Sequence, residues 1–436
     1  MKKSLLWIVL LILSISIFAA FSEVAAAEKA PLPSGKLVIW CWAPNDVDLD
    51  ASLVGFKEKY SDIEWEYVLY GASDVYVNFP LALTAGEGAP DICLIENSFL
   101  PQMIELGGLV DITEGIQPYI NDLTPYKLKE CRKDDRYYAV PWDGSPVAMY
   151  YRRDVFEKAG LASDPKTVMD LVSTWDKYYE VAKTIKDETG QFMQSCSKAN
   201  NNGRLFQMLL WQRGLGYIDA EGKVAINSPE AVETLEFMGK MSSEGLYSEE
   251  EEWTAEWYAA FSSIDESVAS YIGASWMDGL YKAWIAPGTS GRWGVARMPA
   301  YEEGSVRASA DGGSSFVITE QCQNPAAAWA LLEYALLRDQ SVIDCFIAGG
   351  YIPSLMTSYD ADVFKIRDPF YAGQTIGTLF CDIMNDIPEA YVYTAEYGEM
   401  NTLTAPEISK YLTGKQSAQK ALDNAAAAIR AATGRQ

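Results

Sequence analysis

The chain has 436 residues, seven cysteines, no histidine and a formal net charge of −25. A field this acidic repels nucleic acids and anionic membrane surfaces and disfavours phosphate or sulfate as ligand. The lack of histidine removes Ser-His-Asp and Cys-His catalysis, HExxH zinc sites and every other histidine-ligated metal centre, and the length exceeds what one core fills, so two domains are expected.

Lys2 and Lys3, an apolar run over 5–21 and the sequence VAAA at 24–27 form a charged, apolar and small-residue succession that predicts a secretory signal peptide over 1–27. Ser14 and Ser16 interrupt the run, which is short for a membrane span. No cysteine lies near the cut, so a lipid-attachment site is missing and the mature chain is expected to be exported, soluble, and periplasmic or extracellular. The leader carries one net positive charge, and its removal leaves −26.

The run 36–42 (KLVIWCW) is predicted as a buried strand, 50–59 as a helix, and 63–67 (IEWEY) as a half-exposed strand with alternating apolar and acidic residues. GEGAP at 86–90 precedes a second buried run, 91–95 (DICLI). Strands alternating with helices predict an α/β architecture with a mainly parallel sheet. Residues 137–151 read as two extended segments broken by Pro141 and by Gly144-Ser145-Pro146, where a first passage between domains is expected. Helices are predicted after Thr174 to near Gly190, after Ser228 to near Gly245, from Asn324-Pro325 through Leu337, and over 417–433, with Thr, Ser or Asn at the starts and Gly at several ends. The extended run 292–299 (RWGVARMP) is expected to carry the return passage, and the acidic run 249–252 to be a solvated loop or helix entry.

The cysteines stand at 41, 93, 131, 196, 322, 345 and 381, without a CxxC pair. An odd count leaves at least one thiol unpaired within the chain, and Cys41 and Cys93 read as small core hydrophobes.

The segments 36–42, 86–96 (GEGAPDICLIE), 107–112 (GGLVDI), 138–154 (YAVPWDGSPVAMYYRRD), 216–229, 274–276 (ASW), 293–295 (WGV) and 312–318 (GGSSFVI) occur in an order that resembles the family 1 extracellular solute-binding proteins of sugar ABC transporters. The Trp-Cys-Trp opening and the Pro-Trp-Asp segment look closest to lactose/arabinose-type oligosaccharide binders, with a more distant likeness to maltose-binding protein. The resemblance implies a two-lobe α/β fold of the periplasmic-binding-protein type II class, with three crossings and a cleft between lobes. One lobe would hold 36–144 and 299–337, and the other 145–298 and 338–436. It also implies a non-enzyme without cofactor or metal, a sugar ligand, the membrane permease subunits of an ABC transporter as partners, and a monomer.

A sugar offers C–H faces that suit aromatic rings and hydroxyls that suit Asp, Glu, Asn and Ser. Trp42, Asn45 and Asp46 follow the first strand, and Glu96, Asn97 and Ser98 follow the strand at 91–95, where ligands of α/β sheets bind. Trp142 and Asp143 sit on the first passage, and Trp276 and Asp278 follow an apolar run. Gly313 and Ser314 resemble a turn that lets backbone approach a ligand, while Trp211, Tyr351 and Tyr393 are carried over from the resemblance. The bland alternative for each is core packing or a helix cap. Two rival functions remain: a secreted carbohydrate hydrolase, which needs two carboxylates and no histidine, and a ferric-ion binder using Tyr150 and Tyr151.

Overall fold

The structure is a computed structural model that describes residues 32–201, 203–263, 268–389 and 393–436. The expected signal peptide lies outside the described residues. The longer strands are β1 (Gly35–Trp42), β2 (Ile63–Tyr70), β3 (Ile92–Glu96), β4 (Ala139–Pro141), β5 (Val147–Arg152), β6 (Ser270–Ala274), β7 (Trp293–Arg297) and β8 (Ser314–Ile318). They form two principal sheets, ordered β2-β1-β3-β8-β4 and β6-β5-β7, each with its own apolar core, and so define two α/β lobes.

The first sheet is mixed rather than mainly parallel. β1 runs parallel to β2 and β3, but β8 runs antiparallel to both β3 and β4. The reason is topological. A parallel neighbour needs a crossover that returns the chain to the starting edge of the sheet. β8 instead arrives from the other lobe and enters at the edge where β3 ends, with Ser314 opposite Glu96. The second sheet is antiparallel throughout.

Several expected elements shift. The helix expected over 50–59 is two, Asn45–Ser52 and Phe56–Lys59, divided at Gly55, whose φ of 79° is the left-handed conformation a glycine adopts without strain. Residues 292–299 hold β7 of the second sheet, and the return passage follows it. The other helices begin and end as their capping residues dictate. Thr174, Ser228 and Ser417 accept bonds from the backbone N–H of Lys177, Ala231 and Lys420, and Gly190 and Gly434 close two helices in the left-handed region. Asn324 makes no such side-chain bond at the start of Pro325–Leu336.

The helix Asp339–Gly349, which the resemblance assigned to the second lobe, packs on Asn45–Ser52, and its Val342 and Cys345 belong to the first core, as does Leu355. The second core takes in Ile352 and then continues from Phe364 onward.

Two segments join the sheets side by side. Pro146 bridges Ala310, the Val147 N–H donates to the Ser309 carbonyl at 2.9 Å, and the Asp311 N–H to the Ser145 carbonyl at 3.1 Å. A third segment, Ile352–Pro353, pairs antiparallel with Asp143–Gly144. All seven cysteines are buried and free. Among the described residues, no helix is long and apolar enough to cross a membrane.

Candidate functional site

The ends of β1, β3 and β4 and the start of β8 lie along one edge of the first sheet. Residues at or just beyond that edge, Trp42, Glu96, Trp142, Asp143, Gly313 and Ser314, face a cleft of about 1100 Å³. From the second lobe, Trp276 follows β6 into the same cleft, joined by Arg204 at the start of helix Arg204–Gln212, by Trp253 and Trp284, and by Tyr393 and Tyr397.

The first-lobe wall is an aromatic tier above a polar floor. Trp42 packs edge-on against Tyr76 at 6.2 Å between centroids, and Tyr76 stacks on Phe99 at 3.8 Å. Trp142 is almost wholly buried against Phe316 and Tyr351, so one of its faces serves the core. The Tyr351 hydroxyl donates to Asn45 Oδ1 at 3.2 Å.

On the floor, the Ser314 N–H donates to Asp143 Oδ1 at 2.7 Å, and Ser98 donates its N–H at 3.1 Å and its hydroxyl to Glu96. Burial pushes the Asp143 carboxyl up to about 6 and the Glu96 carboxyl up to about 7; Lys127 opposes both shifts. Lys127 is fully buried beneath the floor, 3.6 Å from Glu130 Oε2, and its Nζ makes no hydrogen bond among the described residues. Its ammonium lies 2.7 Å from where a Cβ on Gly313 would stand, so only glycine fits there without displacing it.

The second-lobe wall is built around Arg204. Its Nε donates to both Asp311 oxygens at 3.0 and 2.9 Å, its Nη1 lies 3.5 Å from Glu252 Oε2, and its guanidinium sits 4.9 Å from the Trp276 ring centroid. Burial pushes the Asp311 carboxyl up while Arg204 opposes the shift. The acidic run 249–252 is therefore not wholly solvated: Glu252 turns inward to this arginine. Tyr393 packs edge-on against Trp211 and Tyr397, whose hydroxyl donates to Gln207.

Of the candidates named from sequence, Trp42, Asn45, Glu96, Ser98, Trp142, Asp143, Trp276, Gly313, Ser314, Tyr351 and Tyr393 line the cleft. Four do not. Asp46 lies on helix Asn45–Ser52 outside the lining. Asn97 is buried beneath it, donating to Glu130 and accepting from the Ser315 hydroxyl at 3.0 Å. Trp211 stands behind Tyr393. Asp278 accepts from Tyr371 at 2.7 Å and Lys282 at 2.8 Å in a separate cavity of about 480 Å³. Tyr150 and Tyr151, the pair behind the ferric reading, donate to the carbonyls of Ala274 and Ser163 in the second lobe and do not line the cleft.

Sequence reasoning missed Tyr76, Phe99, Arg204, Trp253, Trp284, Asp311 and Tyr397. Asp311 adjoins the quoted glycine turn and Trp253 ends the acidic run, signals that could have found both. The others sit on helices or loops without a distinguishing pattern.

The profile of the bacterial extracellular solute-binding protein family matches residues 43–341. The chain is similar to an arabinooligosaccharide-binding protein of Halalkalibacterium halodurans, 27% identical over 81% of this chain and 79% of the relative. It is also similar to a lactose-binding protein of Rhizobium radiobacter, 26% identical over 91% of this chain and 93% of that one. Among solved structures, an extracellular solute-binding protein of family 1 matches with a TM-score of 0.78 at 20% identity, over 92% of this chain and all of that one. A transporter-associated binding protein of B. animalis subsp. lactis in complex with β-1,6-galactobiose matches at 0.73 and 23% identity, over 92% and 98%.

Proposed function

The chain belongs to the bacterial extracellular solute-binding protein family, and from that premise we propose that it is the sugar-capturing component of an ABC importer, which encloses an oligosaccharide between its lobes and delivers it to a membrane permease. The observation that carries this reading is the cleft itself: about 1100 Å³ in which tryptophans and tyrosines from both lobes face Glu96, Asp143 and Ser98. A pyranose or furanose ring needs this pairing of flat apolar surface with hydrogen-bonding groups at its rim.

The connections 142–146 and 309–313 and the segment 352–353 carry both the pairing between lobes and the ligand-facing residues Asp143 and Gly313. We place the lobes at 36–141 with 314–355, and at 147–308 with 356–436, with three crossings between them. A sugar bridging the walls binds the closed arrangement more tightly than the open one, and that difference in affinity drives closure. The permease reads the closed form. The protein holds its ligand without breaking it, is exported after cleavage of 1–27, and acts as a monomer in the periplasm or outside the cell.

The experiment is a thermal-shift screen of residues 28–436 against mono- and oligosaccharides, followed by calorimetry and by product analysis of the same sugars. A folded-state ligand at a hundredfold excess over its dissociation constant stabilises by about 2.7 kcal/mol. A midpoint rise with one sugar class and no hydrolysis is expected. Hydrolysis without a shift would favour the carbohydrate hydrolase instead.

A further inference from the structure

Among the described residues Arg204 is the one cation in the cleft lining, and its surroundings decide what it is for. A guanidinium held in readiness for an acidic ligand would present its fork to the cleft. Here Asp311 takes the Nε through both carboxylate oxygens and Glu252 lies against Nη1. The guanidinium also lies over two indoles, its carbon 4.9 Å from the Trp276 centroid and 5.7 Å from that of Trp253.

The two indoles are themselves stacked, 5.9 Å apart at 23°. Trp276 is fixed through a residue that Arg204 also holds, and Trp253 adjoins another in the chain. The Trp276 Nε1 donates to the Asp311 carbonyl at 2.9 Å, so Asp311 ties the ring through its backbone and the arginine through its side chain. Glu252 is the immediate neighbour of Trp253, whose φ of 68° lies in the left-handed region. A bulky residue persists in that conformation only where surrounding contacts over-determine it, and such positions cluster at binding sites. Trp253 is nonetheless 43% exposed, so its ring is not there to fill the core.

We propose that Arg204 is a positioning residue that holds Trp253 and Trp276 as a fixed two-ring platform on the second-lobe wall, and that it acts in ligand capture through this platform rather than through its charge. The platform receives the C–H face of a sugar ring, and the inference rests on the sugar-binding reading above. An uncharged ring is the matching ligand, since Asp311 and Glu252 already balance the guanidinium charge. Lysine cannot replace arginine here, because a compact point charge cannot meet Asp311 and Glu252 through separate nitrogens while staying over both indoles.

The test separates position from charge. Calorimetry with arabinotriose and lactose, using whichever binds the wild type more tightly, would be run on Arg204→Gln, Arg204→Lys, Trp253→Leu and the double variant Arg204→Gln/Trp253→Leu. Circular dichroism of the ligand-free proteins reports the indole pair, with Trp276→Phe defining the difference spectrum that its loss produces. We expect Arg204→Gln and Arg204→Lys each to weaken binding about tenfold, the worth of one aromatic stacking contact, and to reproduce that difference spectrum. In the Trp253→Leu background, Arg204→Gln should add less than about threefold, because coupled residues are not additive. Trp253→Leu leaves the arginine–carboxylate cluster intact, so it keeps the test open if removing Arg204 prevents folding; it too should bind about tenfold more weakly. Wild-type binding in Arg204→Lys, or equal losses in both backgrounds with an unchanged spectrum, would overturn the proposal. If no mono- or oligosaccharide binds the wild type while the dichroic difference is present, the sugar-binding reading fails and the positioning of the two indoles stands.

Discussion

Replacing Gly313 by alanine tests how tightly the cleft floor is built. Two costs add at this position. Its φ of 90° is left-handed, where a Cβ costs about 1–2 kcal/mol. The new Cβ would also stand 2.7 Å from the Lys127 ammonium, 3.0 Å from the Asp143 carbonyl and 3.3 Å from the Ser145 hydroxyl. Lys127 is wholly buried beside Glu130, so its ammonium has no solvent to retreat into. Complete loss of a buried pair costs about 3–5 kcal/mol, and a partial displacement should cost about 1–2 of that.

The expected total for Gly313→Ala is about 3 kcal/mol. Gly304 supplies the control, since its φ of 81° is equally left-handed but no described atom lies within 4 Å of where its Cβ would stand. Gly304→Ala should therefore lose only the conformational share, about 1–2 kcal/mol. Urea unfolding of both variants, compared at unchanged denaturant slope, reads the difference. Calorimetry should show weakened ligand binding for Gly313→Ala alone. Equal destabilisation of the two would refute the argument that a packed ammonium dictates the glycine.

Titration of the floor gives a second expectation. Burial holds Asp143 at about 6, above its ordinary 3.8, so the folded chain keeps a proton that the unfolded chain releases as pH rises from about 4 to about 6. The stabilisation from this group is present below the unfolded value and is lost as pH rises through the folded one. Asp143→Asn should thus gain stability relative to the wild type over that window, by up to about 3 kcal/mol, and a flat difference in urea stability from pH 4 to pH 8 would count against it. Trp142→Ala, with its ring almost fully buried, should lose about 3–5 kcal/mol of stability. Trp42→Ala should instead weaken sugar binding while costing less stability, because Trp42 is only half-buried; thermal unfolding and calorimetry of the pair check the contrast. All seven cysteines are buried and free, so a thiol reagent should modify them only after unfolding, and a reductant should leave the midpoint unchanged.

What the sequence disclosed of the cleft follows from how strand ends announce themselves. An apolar run such as 91–95 that stops at a polar residue marks where a buried strand reaches solvent, so Glu96 could be read directly, as could Trp42 and Trp142-Asp143 beside proline and glycine breaks. The same logic overreached by one residue at Asn97, because successive residues leaving a strand point in opposite directions: Glu96 faces the cleft and Asn97 turns under the floor to Glu130. On the second-lobe wall Trp276, which follows the strand Ser270–Ala274, gave the same signal, but Arg204 and Tyr397 gave none. Arg204 and Tyr397 begin helices whose apolar periodicity describes only their buried face, and periodicity says nothing about what stands at a helix start.

The mixed sheet and the placement of helix Asp339–Gly349 escaped for a related reason. Local pattern identifies an element but not the lobe it joins; that depends on long-range packing, here on Val342 and Cys345 reaching the first core across more than half the chain from Asn45–Ser52. This geometry also has a functional consequence. Because Asp339–Gly349 belongs to the first core, Tyr351 just after it is held by Asn45 and by Trp142 on that side of the cleft. With the lobes divided as we propose, motion between them is taken up beyond Tyr351 and within the paired segments 142–146 and 309–313, the same stretches that present Asp143 and Gly313 to the cleft. A ligand that gripped those residues would fix the backbone that has to bend, so binding and closure would be coupled through one short set of peptide units rather than through a distant relay.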